Sequence, residues 1–333
     1  MDKVLIVGSG SVAGKHLSLV SSHFPEAVIA SWKRKPSGGS NQLELFSESE
    51  IIQFQPSISI VASPTIFHFS QASFLMNLGS HVLLEKPIGL SAHGVQGLYE
   101  NAKERKVIFQ VAYNLRFSKS LTFFEELINS NRLGDSQSVT IEVDQYLPAW
   151  RPSINYRHSV SAQKALGGGA LLELSHEIDY ALRLFGPLEI EYSKLARASN
   201  LDIDVEDYVD VIGTFSADTK TPVQARIHLA MVNRASRRFC EVIGSETSAR
   251  WDGLSGTVEI FDSLANTWEK TFSIPSDIES SYERQLLHFL KSVNAGYSDS
   301  EMTKSLNHEL EVITTLDSIR SQAATANLDG GIK

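Results

Sequence analysis

Val4-Leu5-Ile6-Val7-Gly8-Ser9-Gly10-Ser11-Val12-Ala13 decides how the rest of this chain is read. A four-residue apolar run stops at a glycine, as a buried strand does when it enters a tight turn. A helix from about Gly14 to His23 follows, then a second apolar run, Ala27 to Ala30, so the opening is a βαβ unit. The turn has the form G-x-G-x-x-A. Gly8 permits the tight turn, Gly10 lets the backbone approach a pyrophosphate, and Ala13 is small enough for close helix–strand packing. The helix N-terminus offers unsatisfied N–H groups and partial positive charge to phosphates. Gly8, Ser9, Gly10, Ser11, Val12 and Ala13 are therefore expected to bind a dinucleotide. An NAD-type site usually carries an acidic residue about 20 positions on, to grip the ribose diol. Here the second strand ends in Ser31-Trp32-Lys33-Arg34-Lys35, a hydroxyl and three cations. Such a set accepts a 2′-phosphate, so NADP(H) is expected in preference, with NAD(H) possible; a solvated basic loop is the plainer alternative.

The alternation continues with Ile58–Ala62, a helix around Gln71–Leu78, His81–Leu84, a helix around Val95–Arg105 and Val107–Ala112, which implies a parallel sheet covered on both faces. After about residue 120 strand-like runs dominate, at Ser138–Val143, Val209–Phe215, Val223–Ala230, Arg238–Ile243 and Thr257–Phe261. The expected fold is an α/β Rossmann dinucleotide-binding domain over residues 1–120. A C-terminal α+β domain with a large, mainly antiparallel open sheet is expected over 121–333. Helical stripes are expected at Leu171–Phe185, capped by Gly186 and Pro187, and at Tyr282–Val293 and Met302–Ile319. Composition sets outer bounds: 333 residues suit two domains, and a net charge of -9 argues against nucleic acid or an anionic membrane as the main partner. The single Cys240 excludes a disulfide framework or a cysteine-based metal site within one chain, and no metal is expected. No run approaches the roughly 18 apolar residues of a membrane span, and the start of the chain lacks a signal-peptide pattern, so the cytoplasm is the expected location.

Ser63-Pro64-Thr65 and His68 follow the Ile58–Ala62 run, and Gly79-Ser80-His81-Val82-Leu83-Leu84-Glu85-Lys86-Pro87 comes next. The combined pattern resembles the Gfo/Idh/MocA oxidoreductase family, whose dinucleotide domain carries a Glu-Lys-Pro tripeptide at this place. Val111-Ala112-Tyr113-Asn114-Leu115-Arg116-Phe117 is similar to the family's segment closing that domain. Lys86 leaves the carboxyl end of a parallel strand, where open α/β sheets bind ligands, and Pro87 after it can set a fixed, cis turn. The resemblance implies that Lys86 lies beside nicotinamide and substrate, where a cation stabilises charge developing on a hydroxyl or carbonyl oxygen. It also implies cofactor contacts from Ser31, Trp32, Lys33, Arg34, Ser63, Pro64, Thr65, His68, Glu85, Lys86 and Asn114.

A glycine triplet, Gly167 to Gly169, precedes Ala170-Leu171-Leu172-Glu173-Leu174-Ser175-His176-Glu177-Ile178-Asp179-Tyr180. At about 100° per residue, Glu173, His176, Asp179, Tyr180 and Arg183 gather opposite the apolar face. Such a stripe is more often solvated, yet an imidazole flanked by carboxylates also suits proton transfer. The family has a Gly-Gly-x-x-x-Asp-x-Gly-x-His element whose histidine is the proposed acid/base, which His176 resembles. Here the acid is Glu173, three positions before His176 rather than four, and Ser175 replaces the glycine. Upstream, Tyr146 to Pro152 with Asn155-Tyr156-Arg157 combines rings with hydrogen-bond donors, a composition that suits a polyhydroxylated ring, or else fills a satellite core. Tyr113, Arg116, Trp150, Tyr156, Arg157, Glu173 and Asp179 are the expected substrate contacts. The resemblance implies an NAD(P)-dependent oxidoreductase acting on a CH–OH group of a sugar, amino sugar, nucleotide sugar or cyclitol, Lys86 and His176 assisting proton transfer. A homodimer or homotetramer is the implied assembly. The rivals are a catalytically silent dinucleotide sensor on the same fold and a C=C or C=N reductase.

Overall fold

The computed structural model describes residues 3–33, 43–216 and 221–323. Arg34, expected at the cofactor, and the loop of residues 35–41 lie outside them. The chain divides into two compact units, one of residues 1–113 with 283–313, the other of 114–282 with 314–333.

In the first unit the elements run β1 (Lys3–Val7), α1 (Ser11–His23), β2 (Val28–Trp32), β3 (Leu43–Leu45), α2 (Glu48–Phe54), β4 (Ile58–Val61), α3 (His68–Asn77), β5 (His81–Glu85), α4 (Val95–Arg105) and β6 (Phe109–Ala112). All pairs are parallel, in the order β3-β2-β1-β4-β5-β6. The strands read as unbroken apolar runs because both faces are covered: Val4, Leu5, Ile60 and Leu83 are wholly buried. From β1 the chain builds outward to β2 and β3, then returns to β1's other side with β4. Strand order therefore reverses beside β1, the switch point at which open sheets of this kind bind ligands outside their carboxyl ends.

The second unit holds α5 (Lys119–Asn129), β7 (Ser136–Asp144), α6 (Leu147–Trp150), α7 (Ala170–Glu173), α8 (His176–Phe185), β8 (Leu188–Ala196), β9 (Tyr208–Phe215), β10 (Val223–Ala230), β11 (Arg237–Gly244), β12 (Ser248–Asp252), β13 (Thr257–Asp262) and β14 (Thr267–Ser273). Its eight strands lie in the order β14-β13-β12-β11-β7-β10-β9-β8, and only β7 and β10 pair parallel. Alternation along β7 buries Val139, Ile141 and Val143 on one face, and Ile178, Leu182 and Phe185 of α8 are buried in the same unit.

Two helices, α9 (Asp277–Ala295) and α10 (Asp299–Gln322), end the described chain. Most of their length belongs to the first unit, whereas the sequence expectation placed everything after residue 120 in one domain. The reason is apolar: Leu286, Phe289 and Leu290 share a buried cluster with Val4, Ile6, Ile60 and Leu83. A second difference concerns the expected helix over Leu171–Phe185. It is broken between Glu173 and His176, where Leu174 leaves helical geometry at ψ 24.

Candidate active site

The first unit places the glycine-rich turn at the carboxyl end of β1. Gly8 has φ 116, a left-handed conformation, and a Cβ there would overlap the carbonyl oxygen of Ala62. Its amide donates to the Trp32 carbonyl at 3.1 Å, tying the turn to the end of β2. Gly10 caps α1, and among the described residues a Cβ on it would meet no atom within 4 Å, so the turn is open at Gly10. Ala13 is buried against the sheet at 3% exposure, while Ser9, Gly10 and Ser11 are exposed. A cramped first glycine, an open second and a small buried residue at the sixth position fit a pyrophosphate.

Three further strand ends lie on the same sheet edge. After β4, the Ser63 hydroxyl donates to Gln71 Oε1 at 2.5 Å, and Thr65 is buried. The buried His68 ring reaches two carbonyls, Pro87 O from Nδ1 at 2.9 Å and Ser63 O from Nε2 at 3.0 Å. Burial pulls this histidine's pKa below its ordinary value; a neutral ring donates to one of the two at a time. His68 thus pins the segment after β4 to the turn after β5. That turn holds a cis Lys86–Pro87 bond, with Lys86 half-buried. Glu85, itself buried, bonds His16 Nε2 on α1 at 2.7 Å, so its carboxylate is turned toward a helix. At the end of β2, Ser31 is buried, Trp32 packs on Phe74 with ring centroids 5.9 Å apart, and Lys33 pairs with Glu44 of β3 at 2.8 Å. Tyr113 closes this unit and is buried.

The second unit carries the histidine. Of the polar stripe that a helical wheel would leave solvated, His176, Asp179 and Tyr180 are buried, Glu173 and Arg183 are half-buried, and Glu177 beside them is buried as well, none of the four buried residues being more than 7% exposed. Buried carboxylates need partners, and each has an arginine. Arg116 Nε donates to both Asp179 oxygens at 3.1 Å and its Nη2 to Oδ1 at 2.5 Å. Arg238 of β11 donates to Glu177, Nε to Oε1 at 2.8 Å and Nη2 to Oε2 at 3.3 Å. Arg183 pairs with Glu125 at 3.0 Å. Burial, with the Glu177 carboxylate near it, holds the Tyr180 hydroxyl well above the usual phenol range. Glu173 is half-buried at the end of α7. The last glycine of the triplet has a local cause: Gly169, at φ 110, lies where a Cβ would overlap the half-buried Glu206 carboxylate, whose Oε1 accepts from the Leu171 amide at 3.1 Å.

Asn114 Nδ2 donates to Ser281 Oγ at 2.7 Å. Trp150 and Tyr156 line a small open recess together with Leu147, Arg151, Ile154, Ser159 and Ser161. The indole N–H donates to Gln145 O at 3.2 Å, and Tyr156 Oη accepts from the Asp202 amide at 3.2 Å, so both rings are anchored. Arg157 is exposed and paired with Asp202 at 2.8 Å. Sequence reasoning missed His16, Glu44, Glu177 and Arg238. Only His16 left a signal, a polar residue on the buried Ala13–His16–Val20 face of α1.

A profile described as an oxidoreductase family with an NAD-binding Rossmann fold matches residues 3–113, and the Gfo/Idh/MocA C-terminal domain matches 123–250. The chain belongs to the Gfo/Idh/MocA oxidoreductase family. An uncharacterised oxidoreductase of Synechocystis sp. is 31% identical over 216 residues, 62% of this chain and 56% of that one. The NADP(+)-dependent scyllo-inositol 2-dehydrogenase IolW of Bacillus subtilis is 27% identical over 208 residues, 60% of this chain and 56% of that one. The chain thus spans 56% of the length of each of these curated relatives. In fold it is similar to GenD2 from gentamicin A biosynthesis, solved with NAD: TM-score 0.78, 22% identity, covering 98% of this chain and 95% of that one. Among the described residues no helix is long and apolar enough to cross a membrane.

Proposed function

We propose that this member of the Gfo/Idh/MocA family is an NAD(P)-dependent oxidoreductase acting on a CH–OH group of a sugar, amino sugar, nucleotide sugar or cyclitol. One observation carries the reading: the carboxyl edge of the first unit's sheet combines a turn that is closed at Gly8 and open at Gly10 with a lysine leaving β5. A nicotinamide dinucleotide held by residues 8–13, with Ser31, Trp32, Lys33, Ser63, Pro64, Thr65, His68, Glu85 and Asn114 around it, supplies the hydride acceptor or donor. NADP(H) is preferred and NAD(H) accepted, because β2 ends in a serine and a lysine rather than a carboxylate. Lys86 stabilises negative charge on the substrate oxygen. His176 takes the hydroxyl proton in oxidation and returns it in reduction.

Arg116 and Asp179 hold each other, and through that contact shape the substrate side, as Tyr113 and Glu173 do beside their own helices. Trp150 and Tyr156, whose ring positions are fixed, offer faces on which a sugar ring stacks, and Arg157 a donor at its rim. The substrate class is supported by these rings and by the activity for which the inositol dehydrogenase relative is named. The sheet's outer face exposes Tyr192, Ile212 and Ile243, at 45%, 47% and 46%, which supports self-association into a homodimer or homotetramer. A cytoplasmic location is part of the same reading.

The test is a screen of sugars, amino sugars, nucleotide sugars and cyclitols by cofactor fluorescence, repeated with Lys86→Met and His176→Ala. A loss of about 10²-fold or more in kcat for each variant, with cofactor binding retained, is the expected result. Turnover unchanged in His176→Ala would move the chain to C=C or C=N reduction.

A further inference from the structure

The end of β2 carries a cation that is already matched. Lys33 Nζ lies 2.8 Å from Glu44 Oε1, and the two side chains are only 13% and 14% exposed, so this is a half-buried pair rather than a solvated surface contact. Its place is set by the backbone. β3 pairs parallel to β2 with Ser31 opposite Glu44 and Trp32 opposite Leu45, and the Lys33 amide donates to Leu45 O at 3.0 Å. The Gly8 amide in turn donates to Trp32 O, so the pair flanks the glycine-rich turn at the sheet's carboxyl edge. This is the edge on which the adenosine ribose of a dinucleotide rests in folds of this kind, and where an acidic residue or an arginine selects NAD or NADP.

A 2′-phosphate carries about −1.5 to −2 charges and is held by cations that are not already spent on a carboxylate. A ribose diol has two hydroxyls that donate, and a carboxylate is its natural acceptor. The Lys33–Glu44 pair sums to zero charge, so it offers a phosphate much less than Lys33 alone would, and it places beside the ribose edge a carboxylate that β2 itself lacks. We propose that Glu44, on the neighbouring strand β3, is the residue that sets how strongly this protein prefers NADP(H) over NAD(H), by holding Lys33 and placing a carboxylate beside it. The inference rests on the dinucleotide reading of the first unit and is independent of which substrate is oxidised.

The experiment is titration of NADPH and of NADH, without substrate, into the full chain and into Glu44→Gln and Lys33→Gln, by calorimetry or cofactor fluorescence. Glu44→Gln keeps the size of the side chain and withdraws one negative charge. Its NADPH affinity is expected to rise roughly tenfold, the gain for removing a carboxylate from beside a phosphate under water-like screening. Its NADH affinity is expected to stay level or fall. Lys33→Gln is expected to weaken NADPH and leave NADH within about twofold, which also serves if the first variant folds poorly. Raising salt should shrink the Glu44→Gln gain, as expected for a screened charge effect. NADPH and NADH affinities changing in parallel in both variants would overturn the assignment. If the unaltered chain binds neither cofactor, the dinucleotide reading fails and takes this inference with it; if both bind but no sugar is turned over, only the substrate reading is at fault.

Discussion

Removing Asp179 should expose what the Arg116 pair is for. The Asp179 side chain is wholly buried and the Arg116 side chain is 19% exposed, with three donor–acceptor contacts between them. Asp179→Ala therefore takes away the carboxylate that accepts three contacts from a guanidinium largely out of water. Breaking a buried pair from one side costs about 3–5 kcal/mol, whereas replacing both partners with apolar side chains of similar volume is close to neutral. The expected pattern is a loss of about 3 kcal/mol for Asp179→Ala, a comparable loss for Arg116→Met, and less than about 2 kcal/mol for Arg116→Met with Asp179→Leu. Urea unfolding followed by tryptophan fluorescence reads this, since Trp251 of the same unit packs edge-on against Tyr180 of α8 at 5.6 Å. Two outcomes would refute the reasoning. One is a cost below about 1 kcal/mol for Asp179→Ala, which would mean the guanidinium finds water. The other is a double variant as damaged as the sum of the singles, which would mean that the two side chains stabilise the unit independently rather than by neutralising each other.

Gly8→Ala is expected to abolish measurable cofactor binding and to lower the thermal midpoint, because the position needs a left-handed backbone that a Cβ disfavours and the new Cβ overlaps Ala62 O; normal NADPH titration of the variant would contradict this. On the second sheet, His228 sits between Asp144 and Asp210, its Nδ1 2.7 Å from Asp210 and its Nε2 3.9 Å from Asp144. The carboxylate of Asp144, together with Asp210, raises its pKa above 6.5. The stabilisation is thus complete below pH 6.5 and is lost as pH rises through the folded value. The unaltered chain should lose more thermal stability than His228→Gln between pH 6 and about 8.5, and parallel curves would count against it. Tyr208, donating to Asp210 at 2.6 Å, is pushed up to about 12, so its spectroscopic ionisation should lie about two pH units above that of a free tyrosine.

The parts legible in sequence were those whose cause is local. β1, β4 and β5 are buried on both faces, so each is an unbroken apolar run, and the Gly8 turn is fixed by a conformation only glycine tolerates well. β8, β12 and β14 escaped. β14, Thr267–Ser273, is almost wholly exposed and β12 is five residues long, while β8 loses its alternation at a register shift between Ile190 and Tyr192. Placement of α9 and α10 was equally invisible, since an apolar stripe says that a face is buried but not in which unit. Lys86 and His176 stood out by motif, yet the partners of the polar residues around them did not. His16 and Glu85 are 69 positions apart, Arg116 and Asp179 are 63, and Glu177 and Arg238 are 61. No periodicity relates residues at such separations.

The buried polar face of α8 follows from those partners. A helical wheel sees Glu177 and Asp179 as carboxylates, and unpaired carboxylates belong in water. Each instead receives a guanidinium from elsewhere in the unit, Arg116 from the segment before α5 and Arg238 from β11, so the added charge on the helix is cancelled residue by residue. Once it is cancelled, the face can be enclosed, and His176 at the first turn of α8 is enclosed with it at 7% exposure. Enclosing two carboxylates and an imidazole costs side-chain freedom and desolvation that a helix packed with leucines avoids. That cost is what the acid/base role proposed for His176 would ask of the helix that carries it.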